Sequence, residues 1–217
     1  MKYAENIRKV EALGIDWTGF IFWQKSSRYV SERPSYLPTR CKRVGVFVDA
    51  SIGDVMTIAE QYQLDLIQLH GNESPSYITQ LRPHLEALST TRTPHPYRGG
   101  GRGGVKIIKA INIATASNLD TTKQYEGIAD YFLFDTKGKS VGGNGEKFDW
   151  SVLSSYKGHT PFLLSGGIGP DDAPLVKQVA EDLQSPLLGI DLNSKFEISP
   201  ALKDITKLRN FIKELSI

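Results

Sequence analysis

Polar residues with chemically useful side chains follow several short apolar runs of the sequence. Arg28 comes after the run at 18–22. Its guanidinium fork matches the two oxygens of a carboxylate, although a solvated loop cation is the plainer interpretation. Asp135 directly follows another apolar run, where a buried carboxylate is costly unless it has a chemical role. His70 follows the run at 66–69, and either a backbone hydrogen bond at the rim of the core or a ligand contact would explain it.

The last two apolar runs are each followed by a segment with the composition of an anion-binding site. Gly166 and Gly167 follow one run, and Asp191, Asn193 and Ser194 follow the other. A glycine pair lacks the Cβ atoms that would keep an anion away from backbone N–H groups. Because the two segments follow neighbouring strands, together they predict a phosphate-binding site, which the glycine pair alone would indicate only weakly.

Seven short apolar, β-branched runs predict the strands that position these residues, at 18–22, 44–48, 66–69, 106–111, 131–134, 162–164 and 187–192. Segments with helical periodicity lie around them, at 4–13, 51–62, 74–81, 117–125, 150–156, 173–179 and 200–215. Most of the runs are continuously apolar, which is typical of parallel strands covered on both faces. The alternation of strands and helices predicts βα units, in which ligands bind at the carboxyl ends of the strands.

Two architectures fit seven strands preceded by a helical segment at 4–13. One is an open doubly wound sheet, and the other is a (β/α)8 barrel whose first strand is missing from the chain. The phosphate-binding segments favour the barrel, because barrels place such segments after their last two strands. We therefore predict an α/β protein with a single barrel domain over 1–217. Residues 89–104 have five glycines among their last six positions, and we expect them to form a flexible surface loop inserted in the barrel.

The composition excludes several classes of function. Lys and Arg number 26 against 24 Asp and Glu, and this net charge of +2 does not indicate a nucleic-acid or membrane partner. The single cysteine, Cys41, excludes a disulfide framework and a multi-cysteine zinc site. We expect it to be buried just before a strand. Neither a membrane span nor a signal peptide is recognisable. We expect a cytoplasmic protein in which Asp149 serves as a helix N-cap.

Six blocks of the sequence, in order along the chain, resemble the phosphoribosylanthranilate isomerase family: GFIFWQKSSRYV, VGVFVD, LIQLHGNE, LFDTKGKSVGGNGEKFDW, LLSGGI and GIDLNSKFE. The resemblance implies a (β/α)8 enzyme of tryptophan biosynthesis that carries out an Amadori rearrangement. This third step from chorismate to tryptophan converts N-(5-phosphoribosyl)anthranilate to 1-(2-carboxyphenylamino)-1-deoxyribulose 5-phosphate. The family needs no cofactor or metal. The resemblance further implies a small-molecule substrate, a monomer or homodimer, and no nucleic-acid or membrane partner.

The resemblance also implies a role for each candidate residue. Asp135 matches the general acid that protonates the ribose ring oxygen, and Arg28 matches the arginine that holds the anthranilate carboxylate. The two phosphate-binding loops of the family match five residues, Gly166, Gly167, Asp191, Asn193 and Ser194. His70 falls in a matching block and is expected to contact the substrate.

The family's general base is a cysteine in a first strand that ends in Lys-(Val/Ile)-Cys-Gly-Met. Met1 corresponds to the methionine of that motif, so we expect the base to be absent and the activity to be reduced by several orders of magnitude. A start codon assigned at an internal methionine would explain this. Cys41 cannot replace the base, because it precedes a strand and lies at the end of the barrel opposite Asp135.

Two other functions stay open at this point. Another phosphate-binding barrel enzyme, acting on a sugar or triose phosphate, would share the phosphate loops but would not need both Arg28 and Asp135. The segment from Arg98 to Gly104 resembles an RGG-type RNA-binding element. It occurs once in a chain of net charge +2, which makes this the weaker alternative.

Overall fold

A computed structural model describes residues 1–91, 104–136, 149–183 and 186–215 of the chain. The chain divides into two compact units, a first unit of residues 1–108 and a second unit of residues 109–217. A single domain over the whole chain stays a prediction. Most of the predicted loop at 89–104, including most of the RGG-like segment, lies outside the described residues.

The first unit alternates helices and strands, as the apolar runs predict. Its elements are α1 (Ala4–Glu11), β1 (Trp17–Ile21), β2 (Lys42–Phe47), α2 (Ile52–Tyr62), β3 (Leu66–Leu69) and α3 (Pro75–Thr91), followed by the start of β4 (Lys106–Ile113). All four residues of β3 are buried, which is the pattern of a strand covered on both faces. Phe20, Phe22, Phe47 and Tyr62 pack their rings together in the core of this unit.

The second unit contains the end of β4 and the remaining elements. These are β5 (Tyr131–Thr136), β6 (Phe162–Leu164), α4 (Ala173–Asp182), β7 (Leu187–Ile190), β8 (Glu197–Ser199), β9 (Leu202–Lys203) and α5 (Ile205–Leu215). Short 3₁₀ helices complete it, at Ala116–Gln124, Trp150–Ser155, Pro170–Asp172 and Ser194–Phe196. Its core is aromatic: Phe134 and Tyr156 contact each other, and each of them also contacts the rings of both Phe132 and Phe162.

The order of the strands distinguishes the two architectures that the sequence leaves open. Strands β1 to β7 form a seven-stranded sheet in which each strand neighbours the next one along the chain. The pairings of β1 with β2, β2 with β3, β5 with β6 and β6 with β7 are parallel. A doubly wound sheet reverses its strand order at a switch point. This sheet keeps a single direction of winding, which favours the (β/α) barrel class.

The structure differs from the sequence prediction at two helices. α3 continues to Thr91 instead of ending at residue 81, although Pro83 removes one intrahelical hydrogen bond. Leu81 and Leu85 are buried on one face of this helix, and their packing outweighs the loss. The helix predicted at 200–215 is wrong at its start, because residues 197–203 form the β8–β9 hairpin and α5 begins only at Ile205.

Candidate active site

Three neighbouring strands of the second unit end at the same level and bring polar side chains to one edge. Phe134 of β5 is in register with Leu164 of β6, which is in register with Ile190 of β7. The residues that follow these partners are Asp135, Ser165 and Asp191. Asp135 is only 8% exposed. The structure therefore places the predicted acid in the same row as Asp191, the first residue of one predicted phosphate-binding segment, and as Ser165, which directly precedes the other segment.

The glycine pair after β6 has the backbone conformation that its composition predicts. Gly166 has a φ of 88° and Gly167 a φ of 69°, and both values lie in the left-handed region that side chains disfavour. Beyond the pair, the N–H of Gly169 donates to a carboxylate oxygen of Asp172 at 2.6 Å. This bond ends the turn and begins the short helix at Pro170–Asp172.

The loop after β7 is connected to the glycine loop by a side-chain hydrogen bond. The Ser165 hydroxyl donates to Oδ2 of Asp191 at 3.1 Å, and the Asp191 N–H donates to the Leu164 carbonyl at 2.8 Å. Asp191, Asn193 and Ser194 are half-buried. The Asp191 carboxylate is itself an anion, and it already uses the Ser165 hydroxyl as a donor. The groups in these two loops that are suited to bind a further anion are therefore backbone N–H groups.

Arg28 lies in a loop that leaves β1 and returns to its end. The Val30 N–H donates to the Ile21 carbonyl at 2.9 Å, and Ile21 and Tyr29 form an isolated parallel bridge. Within the loop, the Arg28 N–H donates to the Ser26 hydroxyl at 3.1 Å. Arg28 is half-buried, at the carboxyl-end edge of the first unit, as the sequence predicts.

His70 directly follows β3, and a neighbouring side chain fixes its ring. Nε2 of Gln68 lies 2.8 Å from Nδ1 of His70. The Gln68 amide nitrogen can only donate, so Nδ1 accepts in this contact. The His70 N–H donates to the Phe47 carbonyl at 2.8 Å. His70 is thus half-buried at the strand edge, where its backbone bonds to Phe47 and its ring contacts Gln68.

Two carboxylates connect the loops after β2 and β3 through hydrogen bonds from backbone N–H groups. Glu73 is buried and accepts from the backbone N–H groups of Asp49 at 2.9 Å and Gly71 at 3.0 Å. Asp49 in turn accepts from the Asn72 N–H at 2.6 Å. A Cβ atom at position 71 would overlap the Asp49 carboxylate and lie 2.7 Å from its backbone nitrogen. A glycine is therefore required immediately after His70.

Cys41 and Asp149 have the structural roles that the sequence predicts. Cys41 is 2% exposed, directly precedes β2, and has its Sγ 3.1 Å from the Thr18 hydroxyl. Burial raises the pKa of this thiol to about 11. Asp149 is exposed, and its carboxylate accepts from the Ser151 N–H at 3.0 Å as an N-cap.

In the part of the chain that the structure describes, no helix is long and apolar enough to span a bilayer. Across the same residues, no group of three or more His, Cys, Asp or Glu side chains is placed to hold a metal ion.

Known proteins with similar sequences identify a family for this chain. The family model of N-(5'phosphoribosyl)anthranilate (PRA) isomerase matches residues 1–98 and 97–214. The N-(5'-phosphoribosyl)anthranilate isomerase of Parabacteroides distasonis is 44% identical over 221 residues, which cover 99% of this chain and 90% of the relative. The chain belongs to the N-(5'-phosphoribosyl)anthranilate isomerase family.

Solved structures of PRA isomerases share the fold of this chain. The protein from Thermotoga maritima has a TM-score of 0.77 at 26% identity, over 100% of this chain and 95% of that one. A second phosphoribosylanthranilate isomerase, solved in complex with reduced 1-(o-carboxyphenylamino)-1-deoxyribulose 5-phosphate, has a TM-score of 0.71 at 22% identity, over 100% of this chain and 98% of that one. The α/β barrel class and the family resemblance predicted from the sequence are confirmed.

Sequence reasoning missed the polar residues that hold the strand-end loops of this PRA isomerase family member. They are Asp49, Gln68, Glu73, Ser165, Glu197 and Lys203. Most of them lie within a few positions of a predicted strand end, which is the signal that would have found them. Lys203 gave no such signal, because it lies in a segment predicted to be helical.

Proposed function

We propose that this chain isomerises N-(5'-phosphoribosyl)anthranilate to 1-(2-carboxyphenylamino)-1-deoxyribulose 5-phosphate. The observation that carries the proposal is the buried carboxyl group of Asp135, level with Ser165 and Asp191 at the carboxyl ends of β5, β6 and β7. Membership of the PRA isomerase family names the substrate, and the strand-end side chains have the chemistry that this substrate requires.

Asp135 acts as the general acid in the first step. It protonates the ribose ring oxygen, and the bond between that oxygen and C1′ breaks while the anthranilate nitrogen lone pair forms a C=N bond to C1′. Loss of the C2′ proton to solvent then gives an enolamine, which becomes the ketone when C1′ gains a proton and the C2′ hydroxyl loses its own. The electrons stay within the substrate, so the reaction balances without a cofactor or metal. Acid catalysis of this kind contributes about 10²–10⁴-fold.

The two anionic ends of the substrate match two different kinds of donor. Arg28 offers a bidentate fork to the anthranilate carboxylate. Backbone N–H groups around Gly166, Gly167, Asn193 and Ser194 bind the phosphate, with Asp191 holding Ser165 in place. His70 contacts the substrate with the side of its ring that carries Nε2, because Gln68 lies against Nδ1.

Cys41 does not remove the C2′ proton. It lies before β2, at the end of the strand opposite the loops that carry Arg28 and His70. Burial raises the pKa of its thiol to about 11, so it is a neutral thiol at pH 7. A thiolate is the form that would act as a base.

We further propose that the protein acts in the cytoplasm as a monomer or homodimer, with a small-molecule substrate and with no nucleic-acid or membrane partner. Light scattering of the purified chain tests the oligomeric state. Turnover that is unchanged by EDTA tests the proposed independence from metals.

The decisive experiment measures conversion of phosphoribosylanthranilate with enzyme in excess, so that a slow step is still detected. Asp135→Asn is compared with the wild type and with Asp120→Asn. Asp120 is a suitable control because its carboxylate is exposed and pairs with Lys123 on the surface, at 2.7 Å. We expect Asp135→Asn to lower the rate by at least about 10²-fold, with binding of the reduced product analogue changed less than about threefold. Asp120→Asn should match the wild type.

Two results would contradict the proposal. If Asp135→Asn converted the substrate at the wild-type rate, Asp135 would not be the general acid. A wild-type protein that neither binds the reduced product analogue nor converts phosphoribosylanthranilate, but isomerises another sugar phosphate, would establish the alternative substrate class.

A further inference from the structure

A buried lysine lies behind the loop that follows β7. Lys203 of β9 is 9% exposed, and its ammonium donates to three oxygens of this loop. They are the Leu192 carbonyl at 3.1 Å, the Asn193 carbonyl at 3.1 Å and the Asn193 side-chain oxygen at 2.9 Å. A buried ammonium is costly unless its donors are used. Here all three of its N–H donors have acceptors in one loop.

Glu197 balances the charge of this lysine and sets its position. Its Oε1 lies 3.5 Å from the Lys203 ammonium, and its side chain is only 4% exposed. Glu197 and Lys203 are register partners in the β8–β9 hairpin. The same Oε1 accepts from the Ala201 N–H at 3.1 Å, in a turn where Ala201 has a φ of 68°. The hairpin therefore holds the ammonium at a defined place behind the loop.

The contacts with Lys203 also set the direction of two backbone N–H groups, those of Asn193 and Ser194. In a trans peptide the C=O and the following N–H point in opposite directions, and the described chain has no cis peptide bond. The carbonyls of Leu192 and Asn193 point at Lys203, so the N–H groups of Asn193 and Ser194 point away from it. Within the described ranges, neither of these N–H groups donates a hydrogen bond.

We propose that Lys203 is a positioning residue for phosphate binding. It fixes the two peptides so that the Asn193 and Ser194 N–H groups face the phosphate of the substrate, and its charge strengthens both peptide dipoles as donors. This inference rests on the proposed function, because it assumes that the loop binds the substrate phosphate. Lys203 itself touches the loop and not the substrate.

The test measures affinity for two ligands, the reduced product analogue and the same molecule without its phosphate. Lys203→Met is compared with the wild type and with Lys157→Met. Lys157 is a matched control because it is an exposed lysine that donates to the Ser154 carbonyl. We expect Lys203→Met to weaken binding of the phosphorylated ligand about tenfold or more, equivalent to about 1.4 kcal/mol. Binding of the dephosphorylated ligand should stay within about twofold, and Lys157→Met should change neither.

Lys203→Arg keeps the test decisive if Lys203→Met does not fold. Arginine retains the charge but replaces a compact ammonium by a planar fork, so we expect a folded protein. Its affinity for the phosphorylated ligand should be about threefold weaker, with the other ligand unaffected. Equal affinities for Lys203→Arg and wild type, or an equal loss on both ligands in either variant, would overturn the inference. Failure of the wild type to bind either ligand would refute the proposed function instead.

Discussion

Glu11 is the residue whose replacement tests the packing of the first unit most directly. It ends α1 and is 7% exposed. Its carboxylate accepts from the Thr39 N–H at 2.6 Å, from the Arg40 N–H and from the Tyr36 hydroxyl. These donors all lie in the segment before β2, so this carboxylate joins α1 to the chain that enters the sheet.

The hydrogen bonds set the size of the expected effect. Glu11→Ala removes a charged acceptor from three donors, and each hydrogen bond to a charged group contributes about 1.5–3 kcal/mol. Because Arg40 is exposed and its N–H can bind water instead, we count only the other two bonds, at about 1.5 kcal/mol each, and expect a loss of about 3 kcal/mol in the free energy of unfolding. Glu11→Gln retains a neutral acceptor and should cost about 1–1.5 kcal/mol.

The effect of Glu11→Gln should depend on pH in a defined direction. Burial alone would raise the pKa of Glu11, but the bonds from Tyr36, Arg40 and Thr39 outweigh it and lower the pKa below the ordinary value. The stabilisation is therefore complete above the unfolded-state pKa of about 4.3 and is lost as the pH falls through the lower folded-state pKa. The difference between wild type and Glu11→Gln should shrink between pH 7 and pH 3.

Urea unfolding at pH 7, 5, 4 and 3 measures these differences. Glu5→Gln is the control on the same helix, because Glu5 is exposed and makes surface pairs with Arg8 and Lys9. A cost for Glu11→Ala below about 0.5 kcal/mol at pH 7 would refute the reasoning. So would a difference between wild type and Glu11→Gln that is the same at pH 7 and pH 3.

Two further predictions concern the loops and the cysteine. Gly167→Ala places a Cβ at a φ of 69° and should destabilise the protein by about 1–2 kcal/mol in thermal unfolding, while weakening binding of the phosphorylated ligand. Gly53→Ala, in a helix where a Cβ meets only the Ser51 hydroxyl at 3.8 Å, should stabilise it; equal effects of the two would contradict the conformational argument. Cys41 should react with a thiol reagent at pH 8 only when the protein unfolds, because burial raises its pKa to about 11. Labelling of the native protein at the rate of a free thiol would show that the site is open.

Much of the first unit could be predicted because its signals are local. The strands β1, β2 and β3 coincide with continuous apolar runs, and the N-cap of α2 was visible as Ser51, which accepts from the Asp54 N–H at 3.1 Å. Apolar runs and caps depend on neighbours in sequence. The extension of α3 through Pro83 was not predicted, because it depends on packing of Leu81 and Leu85 against the core.

The candidate site also combines residues that could be predicted from the sequence with residues that could not. Its members could be predicted because a strand end is a position in the sequence, and Asp135, His70 and Gly166 each follow an apolar run closely. The side chains that hold these residues in place could not be predicted. Gln68 on His70 and Asp191 on Ser165 are side-chain contacts that depend on how the strand ends are arranged in space, which no single run reveals.

The fold class and the family could be read from linear order alone, since six blocks and seven apolar runs are properties of the sequence, and the same order predicts the residues of the candidate site. The groups that hold these residues in place became visible only in the folded chain. Lys203 lies ten residues from Asn193 and was predicted to lie in a helix, yet the β8–β9 hairpin brings its ammonium within 2.9 Å of the Asn193 side-chain oxygen. The physical reason is that a buried charge must find its partners in space, and local periodicity carries no information about where the chain turns back on itself.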